Sequence, residues 1–367
     1  MTGRSRLLAR AVPHNAALLR HGVPEGPRVY LPARWHRMHT CWDTYETHPP
    51  VPYAAYPLAR LAHWFTCAPR ISPKPFVIEV EHVLAMGGDV SDWPRGLAAV
   101  ERINRTIASR RCRGVLFFSR GLLEHSRPYV RPELWPKLSV IHLAYPRQEV
   151  AEPPSGPFTV LTIASRWSDK GVPEALDVYR GLRQRFGREV RMILVTAVKP
   201  ADVTLPEGVE HLDVAKLDAA TRARVYRAAH ALLLPCYSET ICCFNEAYAF
   251  GVPVITTRIH HGDEFVREGQ TGHLVEAPVH SYSDGYGTRW RTWADFLADL
   301  DRRRRRGQLR PVVDAALEAA SGLIRDRDRL PAMRAAARRF HAARFSPEAR
   351  NERLLAAYAR AGRPGTA

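Results

Sequence analysis

Between residues 158 and 276, short apolar runs alternate with longer amphipathic ones. "FTVLTIA" (158–164), "RMILVTAV" (191–198), "ALLLP" (231–235) and "VPVITT" (252–257) are aliphatic or β-branched almost throughout. Runs of that length without polar alternation predict strands buried on both faces. "KGVPEALDVYRGLRQRFG" (170–187), "DAATRARVYRAAH" (218–230) and "FNEAYAFG" (244–251) predict helices, and "EFVREG" (264–269) leads into a last strand, "GHLVE" (272–276). Strand and helix in regular turn predict a parallel sheet with helices on both faces, a doubly wound domain of the nucleotide-binding type.

Upstream, "KPFVIEVEHV" (74–83), "RGVLFFSRGLLEHSRPYV" (113–130) and "KLSVIHLAY" (137–145) predict the closing strands and helices of a second unit of the same α/β kind. The proline-rich, polar stretch "YPRQEVAEPPSGP" (145–157) fits a linker between the two. Few elements are placed by pattern in the first 70 residues, which are rich in aromatics, His and Pro. Past residue 277 the chain turns helical and Arg-rich, and Ser346 followed by Pro347 marks the start of a final helix, "SPEARNERLLAAYARAG". The expected division is 1–150, with an atypical first part, then 151–345, then a C-terminal helix over 346–367.

At 367 residues and 46% hydrophobic, the chain is long enough for two packed cores. The longest purely apolar stretches, such as "GVLFF" (114–118), fall far short of the roughly 18 residues of a membrane span. The N-terminal "MTGRSRLLARAVPHNAALLRHG" has no continuous apolar segment and no small-residue cleavage site, so a cytoplasmic protein is expected. The six cysteines, at 41, 67, 112, 236, 242 and 243, show no C-x-x-C spacing and read as reduced, mostly buried thiols.

Charge changes the picture less than its size suggests. Lys plus Arg number 54 against 37 Asp plus Glu, a net +17 that would draw phosphates, nucleic acid or an anionic membrane. Only five of the 54 are lysines, and the Ala-, Arg- and Pro-heavy composition is that of a GC-rich coding sequence. The run "DRRRRRG" (301–307) reads as a helix end in solvent. With no helix-turn-helix, zinc-finger or RNP-type aromatic pattern, a specific nucleic-acid partner is not expected.

In an open parallel sheet, ligands bind beyond the carboxyl ends of the strands, where loops feed helix N-termini. Two loops of this kind stand out. "CYSETICCF" (236–244) follows the strand "ALLLP" and opens a helix whose first N–H groups suit an anionic phosphate or sugar hydroxyls. Glu246, near the start of that helix, would offer its carboxylate to the vicinal hydroxyls of a ribose, or else cap the helix. Glu239, earlier in the loop, would offer the same to a second polyol. In "TIASRWSDKGVPEA" (162–175), Arg166 and Lys170 bracket a loop and together suit the charge of a diphosphate leaving group. The plain alternative for both is a solvated basic loop. Asp263 and Glu264, in "HHGDE" after the next strand, read as helix caps.

"SRWSDKGVPEAL", "LLLPCYSETICCFNEAYAFGVPVITT" and "HHGDEFVREGQTGHLVE", taken in order, resemble the C-terminal domain of the retaining GT-B glycosyltransferases of family 4. The likeness runs from about residue 158 to 276 and, more weakly, back to about 75. It implies a GT-B fold, two Rossmann-like doubly wound domains facing each other across a cleft, and transfer of a hexosyl or related group from a nucleotide-sugar donor. By motif, Glu246 would bind the ribose, Arg166 and Lys170 the diphosphate, and the loop of Glu239, Thr240, Ile241, Cys242, Cys243 and Phe244 the transferred sugar. "VIEVEH" is similar to the family strand ending in a histidine that faces the donor sugar, which singles out His82. The last helix would cross back onto the first domain.

The chain also departs from the family pattern. Seven residues usually separate the family's two glutamates, whereas six lie between Glu239 and Glu246, so Ser238 or Glu239 stands in the first acid's place. Cys242 and Cys243 stand roughly where the family has glycines for close backbone approach. The resemblance implies retention, with the acceptor hydroxyl approaching on the face the diphosphate leaves and a phosphate oxygen taking its proton. No metal and no other cofactor is expected, and "DRD" (326–328) lies in a predicted helix far from any strand end. The acceptor is left as a small molecule, glycan or lipid-linked group, the last allowing peripheral membrane contact through the basic N-terminus. The rival reading is a degenerate GT-B or polyanion-binding protein without transferase activity.

Overall fold

The computed structural model describes residues 75–87, 96–149, 154–197, 199–213, 217–259, 262–281 and 292–361, with backbone alone at 93–95 and at short strands 28–29, 36–38, 45–47 and 61–65. The remainder of the first 74 residues, the linker residues 150–153, and His260 and His261 of "HHGDE" lie outside the described residues. The chain divides into two compact units. Unit 1 takes Met1–Pro146, Asp284–Trp293 and Arg344–Ala367, and unit 2 takes Arg147–Ser283 and Ala294–Ala343.

In unit 1, strands β1 (Arg28–Val29), β4 (Leu61–Phe65), β5 (Phe76–Val80), β6 (Cys112–Phe117) and β7 (Leu138–Val140) form a parallel sheet in the order β1-β4-β5-β6-β7. Strands β2 (His36–Met38) and β3 (Tyr45–Thr47) form a separate antiparallel pair. Helices α1 (Trp93–Ala98), α2 (Val100–Ala108) and α3 (Arg120–Ser126) connect the strands that follow β5. Ser119 starts α3 by accepting a hydrogen bond from the Leu122 N–H at 3.1 Å, the usual cap of a helix entrance.

β5 reads "FVIEV" and is buried along its whole length, Glu79 included. A carboxylate in that position must be answered, and Arg350 answers it. The arginine lies on the last helix, α10 (Pro347–Ala361), donates to Glu79, and with Nη1 also donates to the Ile141 and His142 carbonyls at 3.4 and 2.8 Å. Below it Leu354, Ala357, Tyr358 and Ala361 close a core with Val77, Leu116 and Ile141. The Ser346 cap read from sequence is present, its hydroxyl accepting from the Ala349 N–H at 3.2 Å. α10 is therefore held to the unit 1 sheet by a buried ion pair and an apolar seam.

Unit 2 is a six-stranded parallel sheet of β8 (Phe158–Ala164), β9 (Val190–Thr196), β10 (Val209–Asp213), β11 (Ala231–Leu234), β12 (Val254–Thr257) and β13 (Gly272–Val275). Their order, β10-β9-β8-β11-β12-β13, is the doubly wound 3-2-1-4-5-6 arrangement, and the chain reverses direction across the sheet between β8 and β11. The central strands β8 and β11 are buried at every residue, as their unbroken apolar runs require, while the edge strand β10 is half exposed. Helices α4 (Val172–Phe186), α5 (Ala219–Ala228) and α6 (Cys242–Ala249) make the crossovers. They are followed by α7 (Trp293–Arg305), α8 (Arg310–Arg325) and α9 (Leu330–Arg344). α8 lies tightly on α4, where a Cβ on Gly181 would come within 2.7 Å of the Leu317 side chain. The segment "EFVREG" forms no regular helix, and a single 3-10 turn, Gly262–Glu264, ends on its first residue.

Removing one member of a buried ion pair strands the other without solvent. Arg350→Met is expected to destabilise the protein by about 3–5 kcal/mol in urea unfolding. Arg350→Met combined with Glu79→Leu should recover part of that loss, and equal losses in the single and double variants would contradict this account of α10.

Candidate functional site

At the reversal between β8 and β11, two strand ends deliver two loops side by side. Loop 165–171 leaves β8 and enters α4 through Gly171, whose φ is +69°. A Cβ there would sit 2.0 Å from the Pro235 carbonyl oxygen at the exit of β11, so only glycine lets the backbones approach this closely. The two loops are bonded along their length. The Tyr237 N–H donates to the Asp169 carbonyl at 2.8 Å, and Ser238 Oγ donates to the Asp169 carboxylate.

Arg166 and Lys170 both lie here, in different states. Arg166 closes a fork on Asp169, with Nε at 2.9 and 2.8 Å from the two carboxylate oxygens, and its Nη2 reaches Ser238 Oγ at 3.1 Å. Asp169 is buried, so the pair is a fixed floor to the loop, and a quarter of the Arg166 side chain remains open to solvent. Lys170 is 7% exposed, and its ammonium donates to the Glu239 carbonyl and to Thr240 Oγ1, the latter at 2.8 Å. Burial, then the neighbouring Arg166 charge, pull the Lys170 pKa down, with Asp169 opposing. The cation props the second loop from beneath.

In that second loop Thr240 also donates to the Ser238 carbonyl at 3.3 Å, and Glu239 is half-buried. Ile241 is buried at the head of α6, and the first helical residues, Cys242 and Cys243, are half-buried. Two side chains expected at a ligand turn inward instead. Phe244 is buried against Phe265, ring centres 6.2 Å apart, and the Cys243 thiol points at the Ile163 carbonyl, 3.8 Å away. Burial pushes that thiol up to about 12, so it stays protonated. Of the loop's other side chains, Glu239, Thr240 and Cys242 are half-buried, beside the N–H groups that begin α6.

Glu246 differs from its reading as a residue at the helix head. It is the fifth residue of α6, too far along to cap, and its carboxylate turns toward α5. Arg222 donates to Oε1 at 2.7 Å and the Tyr226 hydroxyl to Oε2 at 2.9 Å. A carboxylate accepts about four hydrogen bonds, so both oxygens keep a lone pair while their plane is fixed. Burial and the Glu246 charge hold the Tyr226 phenol well above its ordinary range, so it remains a donor. Sequence reading missed Arg222 and Tyr226. Their spacing on α5 puts both on one helix face, but no local feature says what that face meets.

The other expectations resolve as follows. His82, in unit 1, accepts at Nδ1 from the Leu84 N–H and donates from Nε2 to the His125 carbonyl, both at 3.2 Å. With both nitrogens engaged by backbone and the ring fully buried, the imidazole ties the turn after β5 to α3. Asp263 caps no helix. It pairs with Arg258, which also holds Glu276 at 2.7 Å, while Glu264 lies in the same turn. Asp326 of "DRD" faces Arg329 at 3.6 Å. The arginine run is not simply solvated either: Arg302 and Arg303 clasp Asp299, and Arg304 reaches back to Ser168 and Glu174 at the base of loop 165–171. The described cysteines are free thiols, with Cys112 and Cys236 buried, while Cys41 and Cys67 lie outside the described residues. No helix among the described residues is long and apolar enough to cross a membrane.

Residues 157–284 match the family model of the glycosyl transferases group 1. A curated relative, the D-inositol 3-phosphate glycosyltransferase of Nocardia farcinica, is 33% identical over 39% of this chain and 34% of its own length, so the chain spans about a third of that relative. Among solved structures, sucrose-phosphate synthase from Thermosynechococcus elongatus aligns with a TM-score of 0.57 at 16% identity, over 84% of this chain and 75% of that one. Anabaena HepE, solved with UDP and glucose, aligns at 0.51 and 15% identity over 78% and 72% of the two chains. At such identities the likeness is one of fold, and the fold is GT-B.

Burial lowers the His82 pKa to about 3, and that of His230 in unit 2, stacked on Phe158, to about 4. In the unfolded chain each takes a proton near pH 6.5. Their contribution is therefore complete above pH 6.5 and is lost as pH falls toward the folded values, at up to about 1.4 kcal/mol per pH unit for each group. Acid unfolding of His82→Gln is expected to show a shallower loss of stability between pH 6.5 and 4 than the wild type. An unchanged slope would contradict the buried, neutral assignment.

Proposed function

We propose that this chain, whose residues 157–284 carry the group 1 glycosyl transferase domain, transfers a hexosyl or related sugar from a nucleoside-diphosphate donor to an acceptor hydroxyl, with retention and without a metal. The observation that carries the reading is the convergence at the sheet reversal: two helix N-termini, Arg166 and Lys170 on one loop, and an oriented carboxylate, Glu246, on the helix that follows the other. Backbone N–H groups and cations so placed stabilise charge developing on a departing diphosphate.

In this scheme the bond between the sugar C1 and the diphosphate oxygen breaks, and its electron pair stays on the leaving diphosphate. The acceptor oxygen bonds to C1 on the same face, and its proton passes to a phosphate oxygen. No side chain is then needed as a base, and the chain's own residues act by position and charge. Arg166, its fork already formed on Asp169, presents its solvent side to the diphosphate. Lys170 supports the Glu239–Thr240 backbone and adds an unneutralised positive charge beneath it. Glu246, its plane set by Arg222 and Tyr226, uses the remaining lone pairs for the ribose hydroxyls. Ser238, hydrogen-bonded to Arg166 and Asp169, belongs to the floor of the site, which leaves Glu239 as the loop's acid near the transferred sugar. The acceptor is a small molecule, a glycan or a lipid-linked group. Contact with an anionic membrane through the basic N-terminal stretch fits the last of these, in a protein that works in the cytoplasm.

Titration calorimetry with UDP, GDP, ADP and dTDP tests the reading. One nucleotide is expected to bind the wild type, about tenfold or more weakly to Glu246→Ala, and with an intermediate loss to Arg222→Met. Failure of all four to bind would refute the donor site and favour a GT-B protein without transferase activity.

A further inference from the structure

Arg304 sits in an arginine run that the sequence reads as a solvated helix end, and its contacts are of another kind. Its Nε and Nη2 donate to the two oxygens of Glu174 at 2.8 and 3.2 Å, Nη2 to the Ser168 carbonyl at 3.0 Å, and Nη1 to Ser168 Oγ at 2.9 Å and to Asp301 at 2.5 Å. Ser168 Oγ completes the ring by donating to Asp301 at 2.6 Å. One guanidinium thus joins three segments: its own helix α7, the middle of loop 165–171 and the first turn of α4.

We infer that Arg304 is a positioning residue for the diphosphate end of the donor site, an inference that rests on the function proposed above. Two effects combine. Ser168 lies between Arg166 and Lys170, so fixing both its carbonyl and its hydroxyl fixes the loop that carries the two cations. Glu174 is the third residue of α4 and 2% exposed, so its carboxylate stands beside the helix end that would receive the donor's phosphates. Left alone, that charge would occupy the positive end of the dipole and repel an incoming anion. The Arg304 fork neutralises it. Burial raises the Glu174 pKa while Arg304 opposes the rise. A lysine keeps the charge but not the fork, so the two effects separate by substitution.

The test compares Arg304→Lys, Arg304→Met and Arg304→Met/Glu174→Gln with the wild type, with Arg310→Met, which breaks only the exposed pair with Asp314, as the control. Three readings are taken: affinity for the nucleoside diphosphate that the wild type binds, affinity for its parent nucleoside, and hydrogen exchange of residues 165–171 without ligand. Diphosphate affinity is expected to fall about tenfold or more in Arg304→Met, less in Arg304→Lys, and to recover in part in the double variant, with nucleoside affinity little changed and loop exchange faster in both single variants. An equal fall in diphosphate and nucleoside affinity, or unchanged loop exchange in both Arg304→Met and Arg304→Lys, would overturn the inference. If the wild type binds neither ligand, the proposed function fails and takes the phosphate half of this inference with it. Loop exchange still decides whether Arg304 orders the loop.

Discussion

The candidate site depends on one close approach: the turn into α4 passes so near the exit of β11 that a single added carbon at Gly171 would overlap the Pro235 carbonyl. That contact brings the helix following the first strand of the sheet against the loop following the fourth, where the winding reverses. The contacts between the two loops follow from it. Lys170, next to the glycine, can reach the Glu239 carbonyl and Thr240 only because the backbones already touch. Asp169 can serve Arg166 and Ser238 together for the same reason.

Charge in this region is paired before any ligand arrives. Arg166 faces Asp169, Arg222 faces Glu246, and Arg304 faces Glu174, each pair combining a buried carboxylate with a partly exposed guanidinium. The net +17 of the chain therefore says little about the site, because most cations near it already have partners. Lys170 differs in being held by a carbonyl and a hydroxyl, and burial, then the neighbouring Arg166 charge, lower its pKa. An anion bound beside it would favour the charged ammonium, an effect that needs no large basic patch.

Five of the six strands of unit 2 were legible as short apolar runs separated by helices with clear starts and stops, such as Asp218 before α5 and Gly187 after α4. The half-exposed edge strand β10, "VEHLD", has three charged or polar residues in five and leaves no such run. The two loops were legible too, since strand-to-helix turns announce themselves by position. Side-chain direction was not. Phe244 and Cys243 read as loop residues and turn into the core, and His82 reads as a ligand contact while both its nitrogens are held by backbone. Nor were the long-range partners: Tyr226 is 20 residues from Glu246, and Arg304 is 130 from Glu174. Partners at such separations leave no local pattern, because helix spacing states which residues share a face and not what the face meets.

A crystal structure of the chain with a bound nucleoside diphosphate tests the central claim most directly. The account predicts phosphate oxygens within hydrogen-bond reach of Arg166, Lys170 and the backbone that opens α4 and α6, with the ribose hydroxyls on Glu246 and the Arg222 and Tyr226 contacts retained. A nucleotide seated elsewhere, or one at the sheet reversal whose ribose leaves Glu246 untouched, would contradict it.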